Sequence, residues 1–173
     1  MVIWIIGLSG AGKTTIGRAL WTYWKESELN TVLIDGDEIR ELFNDMNGAN
    51  SHTIEGRRQN AERIYRICEW LDRQGINVVC SILSIFPDLR ARNKEAFSQY
   101  FEVFVDCPLE ILRERDSKGL YAGSQKGEIR NVVGVDIPFP RPKEANLIID
   151  NSTHGLDAMK VAKEILHLSR SIS

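Results

Sequence analysis

A chain of 173 residues with 43% hydrophobic and 27% charged side chains can bury one continuous core, so residues 1–173 are expected to form a single domain. A formal charge of -2 and a pI near 6.0, with charges spread evenly, exclude the basic stripe of a nucleic-acid binder. Three cysteines (Cys68, Cys80 and Cys107) without C-x-x-C spacing argue against a disulfide framework or zinc site and for buried thiols in a reducing cytoplasm.

The opening run "MVIWIIGL" has no basic n-region and its apolar stretch stops at Gly7, too short to span a membrane. It reads as a buried strand over 2–6, and further strands are expected at 31–35, 76–83, 101–106 and 146–150. These runs are apolar without alternation, the pattern of parallel strands covered on both faces. Helical spacing links Ile16, Ala19, Leu20, Tyr23 and Trp24, then Ile64, Ile67, Cys68 and Leu71, then Leu156, Met159, Ala162 and Ile165. Five strands with helical crossovers predict an α/β fold, a doubly wound parallel sheet binding its ligands beyond the carboxyl ends of the strands. Residues 116–145 hold Gly119, Gly123, Gly127, Gly134 and three of the five prolines, and are expected to form a structureless active-site lid.

"GLSGAGKTT" satisfies G-x-x-x-x-G-K-[ST] with Gly7, Gly12, Lys13 and Thr14, between a predicted strand and a predicted helix. Backbone N–H groups of Ser9, Gly10, Ala11 and Thr15 complete a cradle for the phosphates of ATP. Lys13 reaches the β- and γ-phosphates in such loops, and the Thr14 hydroxyl is the expected Mg²⁺ ligand. A guanine-reading N-K-x-D motif is missing, since "NKEA" at 93–96 lacks the aspartate and falls in a helical pattern. A small-molecule kinase fits better than a GTPase switch or a motor.

Asp35 and Asp37, in "DGD", end the second strand beside this loop. One suits general-base work on an acceptor hydroxyl and the other the water shell of Mg²⁺, although Asp37 also suits a helix cap. Arg40, Arg57, Asn60 and Arg63 follow. Arg57 and Asn60 are one turn apart in what reads as the first turn of the next helix, where forked guanidiniums suit a phosphate or sulfate. Arg58, Arg66 and Arg73 are expected on the surface.

In order along the chain, "GLSGAGKTT", "DGDEIR", R-x-x-N at 57–60, "EVFVDCPLEI", "RDSKGLY", "GEI" and "GVDIPF" resemble the adenylylsulfate (APS) kinase family over about residues 2 to 150. The resemblance implies a nucleotide-kinase-like P-loop fold, a homodimer, and ATP-dependent, Mg²⁺-assisted phosphorylation of a nucleotide 3′-hydroxyl. By the same resemblance Asp37 is the acid-base residue, with Lys13 and Asp35 beside it. Arg40, Arg57, Asn60, Ile82, Leu83, Ser84, Lys118, Leu120 and Val132 contact the acceptor, Arg115 the donor nucleotide, and 116–145 is the lid.

Departures from the family pattern fall on the acceptor side. The G-F-S whose Phe stacks on adenine is replaced by "MNGANSHTIEG", about three residues longer and without an aromatic. The Phe of F-T-G-I-D becomes Val132, and F-I-S-P-Y-R becomes "ILSIFP", placing Ile85 for proline and Pro87 for arginine while Arg90 survives. Ala122 and Gly123 stand for paired lysines, and Glu62 for the first arginine of N-I-R-R. A base–aromatic stack contributes about 1–3 kcal/mol, so losing both faces of a clamp costs roughly 2–6 kcal/mol unless Phe86 or Phe139 substitutes. These changes favour an acceptor other than APS, such as cytidine diphosphoramidate of capsule biosynthesis. A genuine APS kinase of sulfate assimilation and a non-catalytic nucleotide-binding regulator are the alternatives. Ser84 reads as a strand-end serine satisfied by the backbone rather than as a phosphorylated intermediate.

Overall fold

The computed structural model describes residues 1–43, 51–116, 118–153 and 155–171. In chain order the elements are β1 (Val2–Ile6), α1 (Lys13–Ser27), β2 (Thr31–Asp35), α2 (Gly36–Leu42), α3 (Ile54–Asp72) and β3 (Asn77–Ile82). They continue with α4 (Pro87–Ala96), β4 (Tyr100–Asp106), α5 (Leu109–Arg115), α6 (Leu120–Gln125), β5 (Leu147–Asp150) and α7 (Ala158–Arg170). The sheet runs β2-β3-β1-β4-β5 with every pair parallel, so all five carboxyl ends open on one edge.

Because side chains alternate along a strand, β1 feeds both faces at once. Val2, Trp4 and Ile6 join Ile64 and Cys68 of α3 in one core, while Ile3 and Ile5 join Ile16, Leu20 and Trp24 of α1 and Ile165 of α7 in the other. All five β1 residues are buried, which is why their sequence shows no polar alternation. The three cysteines are free and buried, as the apolar patterns around Cys68 and Cys80 predict for those two. Among the described residues no helix is long and apolar enough to cross a membrane.

Several expectations need correction. The 116–145 segment is not structureless: it carries α6 and an isolated bridge between Val133 and Ile137. Backbone bonds from Gly123 N to Gly119 O and from Glu128 N to Gly123 O place Gly119 and Gly123 in the start of α6 and the turn that follows it. α3 opens at Ile54, since Thr53 caps it by accepting from Gly56 N at 3.1 Å, so Arg57 closes its first turn and Asn60 lies in the second. At the C-terminus Asp157 accepts from Met159 N and Lys160 N, both at 3.0 Å, and so starts α7 there. Leu156 precedes that helix and Met159 faces solvent; the buried stripe is Ala162, Ile165, Leu166 and Ser169. β3 ends at Ile82, which leaves Leu83 and Ser84 beyond the strand.

Leu20 is fully buried between α1 and the sheet. Leu20→Ala is expected to destabilise the fold by about 2–5 kcal/mol, seen as a lower urea midpoint with an unchanged m-value.

Candidate active site

The loop between β1 and α1 is shaped by backbone that side chains resist. Gly10 and Gly12 have φ of 77° and 100°, and a Cβ on Gly12 would lie 2.8 Å from the Asn151 side chain. Gly12 is also the N-cap of α1, which has no side-chain cap and no acidic residue in its first turn. The helix therefore presents bare N–H groups and an uncompensated positive dipole end, a ready anion seat. Gly7 and Ala11 are buried beneath the loop, where a Cβ on Gly7 would meet Val105 O at 2.5 Å.

Around this seat lies a cleft of about 640 Å³. The P-loop contributes Ser9, Gly10, Gly12, Lys13, Thr14 and Thr15. Asp35, Gly36, Asp37 and Arg40 come from β2 and α2, and His52, Arg57 and Asn60 from the start of α3. Ile82 and Leu83 line it at the end of β3, and Lys118, Leu120 and Val132 from the 116–145 segment. Sequence positions spread over more than a hundred residues thus meet because all the parallel strands end on this edge.

Besides Gly7 and Ala11 beneath the loop, Arg115 and Ser84 do not line this cleft. Arg115 donates to Thr153 O at 2.9 Å and to Cys107 Sγ at 3.6 Å, outside the cleft wall. Ser84 borders only a smaller neighbouring pocket and has a left-handed φ of 45°. Part of the "MNGANSHTIEG" loop, residues 46–50, lies outside the described residues, as does Ser117 of "RDSKGLY".

Hydrogen bonds divide the work of the two aspartates. Asp35 is the N-cap of α2, accepting from Asp37 N at 2.9 Å with Oδ1 and from the Thr14 hydroxyl at 2.7 Å with Oδ2. Capping thus belongs to Asp35, and the Asp37 side chain is left for the cleft. Lys118 Nζ donates to Asp37 Oδ2 at 2.6 Å. Burial alone would raise the Asp37 carboxyl, but the Lys118 bond and the charges of Arg40 and Lys13 hold it below the usual carboxylate range. Lys13 Nζ donates to Leu8 O at 2.7 Å, and burial pushes its ammonium down to about 8 against the pull of Asp37 and Asp35.

Arg40 Nη1 donates to Ser51 O at 2.6 Å, and Arg57 donates to His52 O at 2.9 Å and Asn131 O at 2.8 Å. Burial and the nearby Arg40 push the Arg57 guanidinium down to about 10. The same two arginines, after burial, lower the His52 imidazole. Counting Lys13, Lys118 and Arg130, the described residues of the cleft wall include five basic side chains and two carboxylates, a field that draws polyphosphates.

Sequence reading missed residues that hold the site together. Asn151 Nδ2 donates to Ala11 O at 2.8 Å, and Tyr121 Oη donates to Ser9 O at 2.9 Å, so the cradle is tied to the end of β5 and to α6. His52, Arg130 and Asn131 line the cleft without any motif to mark them. Arg58, expected to be a plain surface residue, pairs with Asp88 at 2.9 Å and stacks over Phe86.

A parallel sheet of this strand order, with a phosphate cradle after its central strand, defines a P-loop kinase. Shikimate kinase from Aquifex aeolicus shares the fold at 18% identity, with a TM-score of 0.60 over 99% of this chain and 98% of that one. The adenylylsulphate kinase family profile matches residues 1–150, and the chain belongs to that family of phosphotransferases. It is 39% identical to a cytidine diphosphoramidate kinase from Campylobacter jejuni, over 87% of this chain and 86% of the relative. It is 38% identical to an adenylyl-sulfate kinase from Paraburkholderia xenovorans, over 86% and 82% respectively. The Mycobacterium tuberculosis APS kinase CysC, solved with AMPPNP and APS, superposes with a TM-score of 0.85 at 28% identity, covering 98% of this chain and 96% of CysC.

A group whose folded pKa is depressed adds stability above its unfolded pKa and loses it as pH falls through the folded value. Lys118→Met should therefore raise the Asp37 carboxyl pKa toward or above the ordinary range, read by carboxyl-carbon NMR titration; an unmoved midpoint would show that the ion pair does not set it.

Proposed function

We propose that this chain is an ATP-dependent nucleotide 3′-kinase whose acceptor is a pyrimidine nucleotide with a small phosphorus-containing end, cytidine diphosphoramidate being the model compound. One observation carries the reading: among the described residues the cleft wall holds no phenyl, phenol or indole ring. By the family pattern Val132 stands where one face of an adenine clamp carries an aromatic ring. Neither of the two aromatics named as substitutes, Phe86 and Phe139, lines the cleft. Phe139 stacks on Phe104 at 5.9 Å, and Phe86 is buried with the Arg58 guanidinium 4.4 Å from its ring centre. A smaller base needs less stacking area, and the Campylobacter jejuni relative is named for such an acceptor.

In this reading the loop 7–15 and the α1 N-terminus hold the phosphates of ATP, with Lys13 moving from Leu8 O to the β- and γ-oxygens. The Thr14 hydroxyl, fixed on Asp35 at 2.7 Å, suits Mg²⁺: Thr14 would ligate the ion and Asp35 anchor its water shell. When bound, the ion supplies charge neutralisation for the phosphate oxygens. Arg40 and Arg57, already braced on backbone carbonyls, orient the anionic end of the acceptor. Asp37 takes the proton of the attacking 3′-hydroxyl, for which its depressed pKa keeps it ionised at neutral pH. Lys118, freed from Asp37, turns to phosphate oxygens. Arg115 serves the donor side from the rim. Asp37→Ala is expected to lower turnover by about 10²- to 10⁴-fold while ATP affinity, measured by calorimetry, stays close to wild type.

The acceptor is tested directly by offering ATP with cytidine diphosphoramidate or with APS and measuring ADP release and product mass. Preferred turnover of the cytidine compound is expected. Saturable turnover of APS at micromolar concentration would return the enzyme to sulfate assimilation. Tight ATP binding without any turnover would mark a nucleotide-binding regulator.

A further inference from the structure

Among the described residues one side-chain ring lines the cleft, the imidazole of His52, and it is exposed there. It comes from the "MNGANSHTIEG" loop, which stands where the family pattern places the ring-bearing G-F-S. The backbone on both sides of the ring is pinned. Arg40 Nη1 donates to Ser51 O at 2.6 Å, Arg57 Nε donates to His52 O at 2.9 Å, and Thr53 caps α3. The same Arg57 guanidinium donates from Nη2 to Asn131 O at 2.8 Å, so it ties His52 to the segment that carries Val132. His52 and Val132 both line the cleft. A ring mounted on backbone that is already hydrogen-bonded loses little freedom when a ligand meets it.

Two jobs suit an imidazole in such a cleft: a further cation for an anionic end, or a flat neutral face for a base. Partial burial and then Arg40 and Arg57 lower its pKa, against the pull of Asp37, so the ring is neutral at pH 7 and adds no charge. Arg40 and Arg57 already supply the cations. What the ring adds is a π face, on which a nucleotide base stacks. We propose that His52 is the specificity-determining residue for the acceptor's base, which stacks on the imidazole while the Val132 side chain closes the slot. An imidazole is smaller than a phenyl and a valine has no ring, so the slot suits the single-ring base of the proposed acceptor. The inference rests on the acceptor site proposed above and names the residue in it that holds the base.

The test compares wild type, His52→Ala and His52→Phe, each with cytidine diphosphoramidate and with APS. kcat and KM are measured with ATP, and acceptor Kd by calorimetry. Both substitutions change an exposed side chain, and circular dichroism reports their folding. His52→Ala is expected to raise KM and Kd for the preferred acceptor by roughly fivefold to a hundredfold, with kcat and the KM for ATP within about twofold of wild type. His52→Phe should recover the affinity lost in His52→Ala and move the preference toward APS, because a phenyl covers more of an adenine. An unchanged acceptor Kd in His52→Ala would overturn the inference. So would a loss that His52→Phe does not recover, which would assign the effect to a hydrogen bond or the loop backbone instead of the ring face. If wild type prefers APS and His52→Ala weakens APS, the pyrimidine reading falls and His52 still holds the base. Failure of wild type to bind either acceptor would overturn both readings.

Discussion

The hydrogen bond from the Thr14 hydroxyl to Asp35 joins the two halves of the site, and much of the remaining geometry depends on it. Thr14 opens α1 after β1, and Asp35 ends β2, two strands away in the sheet. The bond forms because the parallel register levels the strand ends: Ile6 lies opposite Ile82, and Asp35 opposite Ser81. Ser81, on the strand between, donates to Lys13 O at 3.3 Å and closes the bridge. With Oδ2 accepting from Thr14 and Oδ1 capping α2, the Asp35 side chain is held in place. The next acidic residue, Asp37, is then free to face the cleft.

Close packing on this bridge leaves little room for change. A Cβ on Gly17 would come within 2.3 Å of Ser81 Oγ, so α1 lies on β3 at a distance only glycine allows. Asn151 presses on the loop from the other side, its amide against Ala11 O and the Gly12 backbone. The cradle is rigid because three separate strand ends hold it.

Legibility in the sequence followed the range of the forces involved. The strands showed because burial on both faces writes an unbroken apolar run, and the cradle showed because its glycines answer to local backbone angles. Asn151 was invisible, since its partner Ala11 is 140 residues away and a lone Asn after a strand announces nothing. α6 was hidden by glycines that serve as its N-cap and as a packing site: a Cβ on Gly123 would meet the Ile129 side chain at 2.5 Å. α3 began a turn earlier than its arginines implied because Thr53 supplied the cap. The division of labour between Asp35 and Asp37 was also beyond "DGD" alone, since it is settled by which carboxylate reaches Thr14.

The ion pair between Lys118 and Asp37 has a further consequence for the order of events. Before an acceptor arrives, the carboxylate proposed to draw a proton from it is engaged by a lysine from the segment that lines the cleft. A carboxylate so engaged is a weak base toward stray water. In the proposed reaction Asp37 therefore comes into play only once Lys118 has left it.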